Sequence, residues 1–155
     1  MLTARNMNSS CSRSHFLVLL LGVSIGSSSD LLAQRTWIVD AAGGAGSNFN
    51  DLPAAVAVAA PGDRIEIVPF ASLYSGARVT KGISILAGGA GVSLGSPLYL
   101  SGIPLGGTCV VSGIAFADTW LQVEQCKGAV VLFGLGPSRT WFSMNVLSSD
   151  AVCMD

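Results

Sequence analysis

Apolar and polar residues alternate with a period of two in several short segments, which glycine, proline, serine or aspartate separates. RIEIVP places Ile65 and Ile67 on one side and Arg64 and Glu66 on the other, as in a strand with one buried face. Five more segments have this character. They are KGISILAGG, SPLYLSGI, TCVVSGIAFAD, TWLQVEQC and GAVVLFGL. The pattern predicts an all-β chain of many short strands.

One helix is predicted before these strands, over residues 52–60. Asn50 or Asp51 can accept hydrogen bonds from its first free N–H groups, and Pro53 fits the first turn, where its missing donor costs little. Pro61 ends it, because proline disfavours helical geometry in the preceding residue. So short a helix, with small apolar side chains on every face, is not stable alone, and we expect other elements to bury it.

Two arrangements fit this run of strands: an antiparallel sandwich and a single winding coil. The strands are short and irregularly spaced, and no Asn-Gly or Asp-Gly hairpin turn joins them, which favours the coil. One set of aliphatic side chains is then expected to line its interior. These are Ile65, Ile67, Ile83, Ile85, Val110, Ile114, Leu121, Val123 and Val131.

The segment LPAAVAVAAPGDRIEIVPFASLYSGARVTKGISILAGG combines an alanine-rich helix, a Pro-Gly-Asp turn, a strand ending in Val68-Pro69, and Tyr74 and Lys81 further on. It resembles the opening of pectate-lyase-like proteins, and VSGIAFAD…LQVEQCKGAVVLFGL is similar to their coil repeats. One departure is that the family usually has Gly-Thr-Tyr after the proline, where this chain reads PFASLY. The resemblance implies a right-handed parallel β-helix of the exported bacterial type, with about three to four rungs. The helix over 52–60 would cap its N-terminal end.

Residues 1–33 have the charged, apolar and small-residue order of a secretory signal peptide, with cleavage expected after Ala33. The apolar core FLVLLLGVSI is too short for a bilayer interior of about 30 Å, so no permanent membrane span is predicted. A buried N-terminal helix is the alternative. We therefore expect the protein to be secreted, periplasmic or at the cell surface.

The β-helix domain is then expected to span residues 34–135. The tail, residues 136–155, is not predicted to continue the strand pattern. It is interpreted either as a C-terminal cap or as foreign sequence after a truncation or frameshift in a longer β-helix gene. The open C-terminal end of the coil could meet another β-helix chain.

Charge and composition exclude several classes of function. Charged residues make up 11% of the chain and the net charge is −1, without a cluster of Lys and Arg, which argues against binding to nucleic acid. His15 is the only histidine and would leave with the signal peptide, which removes histidine-dependent nucleophiles and histidine-ligated zinc sites. The carboxylates show neither the cluster of a calcium-dependent lyase nor the pair of a glycoside hydrolase. We therefore predict no catalytic residue, no metal site and no cofactor, with calcium needed only if the chain is a lyase.

The candidate glycan-binding residues lie on TWLQVEQCK. Trp120, Gln122 and Glu124 share the outward side of this strand, and Lys127 follows three residues later. An exposed aromatic ring beside polar side chains can bind a polysaccharide, and a solvated strand face is the alternative. Trp37, Tyr74 and Tyr99 are instead interpreted as packing residues.

Cys109 and Cys126 allow two interpretations. In an oxidising compartment they could form a disulfide, and in the coil both could be buried thiols. Taken together, the sequence predicts an exported, noncatalytic β-helix module with a structural or glycan-binding role. The alternative is a carbohydrate-active enzyme, either a polysaccharide lyase or a glycoside hydrolase, or the N-terminal fragment of one.

Overall fold

The computed structural model describes residues 34–137, 144–147 and 151–154, and side chains as far as residue 136. The predicted signal peptide, residues 1–33, lies outside the described residues. Each element of the described chain is short. They are β1 (Thr36–Val39), α1 (Leu52–Val58), β2 (Arg64–Ile67), β3 (Arg78–Val79), β4 (Ser84–Ala87), β5 (Ser93–Leu94), β6 (Leu98–Ser101), β7 (Thr108–Ser112), β8 (Ala115–Phe116), β9 (Leu121–Glu124), β10 (Ala129–Phe133), β11 (Gly136–Pro137), β12 (Met144–Leu147) and β13 (Ala151–Met154).

The strands form three sheets that the chain visits in turn. Sheet 1 has the order β1-β2-β4-β7-β10-β13, sheet 2 the order β11-β8-β5, and sheet 3 the order β12-β9-β6-β3. Every strand pair in the described residues is parallel. The molecule is therefore a β-solenoid of about three turns, which confirms the predicted fold class and excludes the antiparallel sandwich. The right-handed winding stays a prediction.

The interior is a column of aliphatic side chains. Seven of the nine predicted core residues are buried, with exposed fractions of 0 or 1%. They are Ile65, Ile67, Ile83, Ile85, Ile114, Leu121 and Val123.

The other two core predictions, Val110 and Val131, are wrong. Both side chains are only partly buried; β7 instead turns Cys109 and Val111 inward, and β10 turns Val130 and Leu132 inward. Each strand contains two adjacent valines, so its sequence permits either register, and pairing decides between them: Val130 lies beside Cys109, and Leu132 beside Val111. A slip of one residue reverses the two faces of a strand.

The predicted helix is confirmed, but it ends at Val58, two residues earlier than expected. Asp51 is its N-cap and accepts a hydrogen bond from the Leu52 N–H group at 2.9 Å. Near its other end the Lys81 ammonium group donates to the Ala59 carbonyl oxygen at 2.6 Å, which satisfies a carbonyl that a helix end leaves unpaired. The helix contacts β1, β2 and β3. It thus covers the N-terminal side of the solenoid.

Asp63 ties this helix to the first strand. Its side chain is buried, and its carboxylate accepts hydrogen bonds from the Arg35 N–H at 3.0 Å, the Trp37 indole N–H at 2.9 Å and the Ala60 N–H at 2.8 Å. Burial raises the pKa of Asp63, but these hydrogen bonds outweigh it and hold the pKa below its ordinary value. Besides its place in the turn, Asp63 therefore connects Ala60, two residues after the end of the helix, with β1 and with Arg35, the residue before that strand.

The strand pattern continues beyond residue 135, contrary to the expectation for the tail. β11 pairs with β8, β12 with β9 and β13 with β10, all in parallel. Ala129 and Ala151 are register partners 22 residues apart, close to the 21 residues between Thr108 and Ala129. MNVL and AVCM are short segments, so this spacing is the signal that pattern reading missed. Among the described residues, no helix is both long and apolar enough to cross a membrane.

Candidate functional site

The outer face of sheet 3 gathers polar and aromatic side chains from three successive coils. Strand alternation turns Leu100 and Val123 into the core and their neighbours away from it, although Ser101 is itself only 7% exposed. We define the outer face of sheet 3 by its side chains on β3, β6 and β9. They are Arg78, Tyr99, Ser101, Gln122 and Glu124. In register, Tyr99 lies beside both Arg78 and Gln122, and Ser101 beside Glu124.

Arg78 links the three coils. Its Nη1 donates to Ser101 Oγ at 3.0 Å and lies 3.6 Å from Glu124 Oε1, while its guanidinium carbon lies 5.3 Å from the centroid of the Tyr99 ring. Gln122 Nε2 donates to the other Glu124 oxygen at 3.1 Å. The Arg78 side chain is 59% exposed, so this ion pair adds about 1 kcal/mol or less to stability. These contacts hold the polar groups in one arrangement, in which Arg78 and Glu124 stay accessible to solvent and Ser101 is buried.

Trp120 immediately precedes β9. It is 39% exposed, and its carbonyl oxygen accepts a hydrogen bond from the Leu98 N–H at 3.1 Å, which fixes the backbone that carries the ring. Asp118, three residues before β9, and Gln125, directly after it, have φ angles of 51° and 53° although neither is glycine. Such backbone is held in place only by its surroundings. The strand that carries the candidate residues is therefore closely specified at both ends.

Three of the four predicted glycan-binding residues come together. Gln122 and Glu124 lie at alternate positions of β9, and the exposed Trp120 immediately precedes the strand. Lys127 is exposed and lies in the following turn, where its N–H group donates to the Ile103 carbonyl oxygen at 2.9 Å. In the described part of the chain Lys127 forms no ion pair, and the cationic partner of Glu124 is Arg78.

Pattern reading missed Arg78 and Ser101 and interpreted Tyr99 as a packing residue. These three residues lie on earlier coils. Alternation along each strand indicates which side of the strand they occupy, but their position beside β9 follows only from the strand register. Trp37 and Tyr74 do pack. The Trp37 ring lies 5.7 Å from the ring of Phe49, and Tyr74 is 2% exposed.

A hollow of about 240 Å³ adjoins the outer face of sheet 3, between α1 and β3. Arg78 belongs to the outer face of sheet 3 and also lines the hollow. The Lys81 ammonium group faces the end of α1. The lining combines one apolar wall with polar side chains. Its residues are Pro53, Val56, Ala57, Ala77, Arg78, Thr80 and Lys81.

Cys109 and Cys126 are free, buried thiols. Cys126 Sγ lies 3.4 Å from the Glu124 carbonyl oxygen. Burial raises the pKa of Cys109 to about 12, with a contribution from Cys126 and against a hydrogen bond with the Ile83 backbone, so it is not a ready nucleophile. Within the described residues no group of three or more His, Cys, Asp or Glu side chains is placed to hold a metal ion.

The class that the fold defines is a parallel β-solenoid with a polar and aromatic outer face. Comparisons of the chain with protein-family models, with curated proteins and with solved structures found no match. The architecture is thus shown by the chain's own strand pairing.

Proposed function

We propose that the protein is an exported, noncatalytic β-helix module that binds a polysaccharide through Trp120 and the outer face of sheet 3, at a cell surface or in an extracellular matrix. The observation that carries this proposal is an exposed indole, Trp120, directly before the strand whose Gln122 and Glu124 belong to an organised set of hydrogen-bonding groups. The pectate-lyase-like resemblance of residues 52–89 supports the polysaccharide class of ligand. The signal-like order of residues 1–33 supports export.

The chemistry of sugars fits this face. A pyranose ring has a C–H face that packs on an aromatic ring, and hydroxyl groups that both donate and accept hydrogen bonds. Trp120 offers the aromatic surface, while Gln122 and Glu124 offer a donor and acceptors on the same strand. Strands of neighbouring coils lie about 4.8 Å apart, so a linear glycan running along the solenoid axis could contact successive coils.

A binding role agrees with the contacts of the Glu124 carboxylate. Glu124 has one oxygen beside Arg78 and the other accepting from Gln122. Hydrolysis of a glycosidic bond normally uses two carboxyl groups that flank it, one of which must carry a proton. Both Glu124 oxygens are instead engaged by neighbouring side chains, an arrangement that suits hydrogen bonding to sugar hydroxyl groups.

The test is titration of the full chain with a panel of soluble neutral and acidic polysaccharides, by affinity electrophoresis and calorimetry. Replacement of Trp120 by alanine is expected to weaken binding about tenfold, which corresponds to about 1.4 kcal/mol, within the contribution of an aromatic contact. Q122A is expected to weaken it by a smaller factor.

Phe133 provides the matched control, because it is 40% exposed, nearly as much as Trp120, but lies on β10 of sheet 1. F133A is expected to bind like the unmodified chain. Equal loss in W120A and F133A, or no loss in either, would refute the site. Release of reducing ends or unsaturated sugars from any member of the panel would refute the noncatalytic part of the proposal.

A further inference from the structure

One edge of β1 has no described strand of sheet 1 beside it, and a loop of the same chain covers that edge. β1 is the outermost strand of sheet 1 and pairs on one side with β2. The other side of such a strand presents unpaired N–H and C=O groups, which can take up a strand from another molecule. Here the loop of residues 40–49 turns back and runs along that side.

The loop reproduces the hydrogen bonds of a neighbouring strand. The Ile38 N–H donates to Asn48 Oδ1 at 2.8 Å, and the Ile38 carbonyl oxygen accepts from the Asn48 N–H at 2.8 Å and the Phe49 N–H at 3.2 Å. The Asp40 N–H donates to the Phe49 carbonyl oxygen at 2.9 Å, and Val39 and Phe49 form a parallel bridge. We call Asn48 and Phe49 the edge guard.

Two further contacts hold the edge guard in place. The ring of Phe49 packs on that of Trp37 at 5.7 Å between centroids. The Asp40 carboxylate accepts hydrogen bonds from the Ala42 and Gly44 N–H groups at 2.9 and 3.0 Å, which shapes the loop. A side chain at residue 44 would collide with that carboxylate. The loop is thus built to return to β1 rather than to point into solvent.

We infer that the edge guard is an autoinhibitory contact that keeps a second copy of this chain from adding to β1. At the opposite side of sheet 1, β13 is the outermost described strand, and it pairs with β10 in parallel. A second copy that presented β13 to β1 would continue the same parallel ladder. Such head-to-tail contacts do not close, and they extend into a series of oligomers.

The experiment measures the mass of the full chain by size-exclusion chromatography with light scattering, over a hundredfold range of concentration. N48A/F49A removes the side-chain acceptor for Ile38 and the ring contact, and its mass is expected to rise through dimer, trimer and larger species. Asn48→Asp keeps an acceptor oxygen for the Ile38 N–H and is expected to keep the mass of the unmodified chain.

Asn50→Ala is the matched control, since Asn50 is also exposed and lies two residues further along. Its side chain forms none of the hydrogen bonds to β1 that the described residues show. Circular dichroism establishes that each variant is folded, and N48A alone, which retains the Phe49 ring, replaces the double variant if that one does not fold. An unchanged mass in the folded variant, an equal rise in N50A, or association that stops at a dimer would overturn the inference.

Discussion

Replacing Asp63 by asparagine is the sharpest test of how the N-terminal coil is held together. The Asp63 side chain is 3% exposed, and Oδ2 accepts from both the Trp37 indole and the Ala60 N–H, while Oδ1 accepts from the Arg35 N–H. An asparagine has one acceptor oxygen. If the amide oxygen takes the place of Oδ2, it keeps the hydrogen bonds from the Trp37 indole and the Ala60 N–H, now to a neutral acceptor. The NH₂ group then faces the Arg35 N–H, and that hydrogen bond is lost.

The expected loss follows from these three bonds. A hydrogen bond to a charged group contributes about 1.5–3 kcal/mol, against about 1 kcal/mol for a neutral one. One bond is lost and two are weakened, and the gain from no longer burying a charge offsets part of the sum. We expect D63N to lower the free energy of unfolding by about 2–3 kcal/mol at pH 7.

The pH dependence has a definite sign. Because the pKa of Asp63 is lower in the folded chain than its ordinary value of about 3.8, its contribution is fully present above that value. It is lost as the pH falls through the lower, folded-state pKa. The difference between the unmodified chain and D63N should therefore stay constant from pH 7 to about pH 5 and shrink below about pH 4.

Equilibrium unfolding in urea, followed by tryptophan fluorescence and circular dichroism, measures both quantities where the transition is reversible and two-state. Glu66→Gln is the control. Glu66 lies 3.3 Å from Arg64 in an exposed pair, and its loss should cost about 0.5 kcal/mol or less. A loss in D63N no larger than in E66Q, or a difference that grows in acid, would refute the reasoning.

Three further predictions use the same unfolding assay or simple chemistry. Gly82→Ala should lower the free energy of unfolding by about 3 kcal/mol or more, because the added Cβ would lie 2.7 Å from a backbone nitrogen of the next coil. Gly136→Ala is the control and should leave the free energy of unfolding nearly unchanged, because open space surrounds the added carbon. Val111→Ala should cost about 2 kcal/mol and Val110→Ala clearly less, and the reverse order would contradict the observed register. With its pKa raised to about 12, Cys109 should alkylate at least about a hundredfold more slowly in the folded chain than in urea at pH 8, by mass spectrometry, and rapid labelling when folded would contradict its burial.

Several elements could be predicted because their signals are local. Asp51 before Pro53 marks the beginning of a helix through hydrogen bonds to the next few residues. Ile65 and Ile67 alternate with charged residues, so a single strand reveals which of its faces is buried. The short, irregular strands then favoured a coil over a sandwich.

The candidate site was half visible in the same way. Trp120, Gln122 and Glu124 occupy alternate positions along TWLQVEQC, so the sequence predicts their common side from alternation alone. Arg78 and Tyr99 belong to other coils, and the strand register brings them beside Glu124. That register is hard to predict, because the number of residues per coil varies. Partners in sheet 1 lie 20 residues apart for Arg64 and Ser84 but 26 apart for Ser84 and Val110.

By itself, then, the sequence determined the type of each local element and the class of architecture, because alternation, capping and turn residues act over a few positions. Tertiary structure alone decided which valine of β7 and β10 faces the core, that Arg78 rather than Lys127 is the partner of Glu124, and that Asn48 covers the edge of β1. Each of these depends on contacts between residues ten or more positions apart or on a choice between two equally apolar neighbours. Only tertiary contacts distinguish such alternatives.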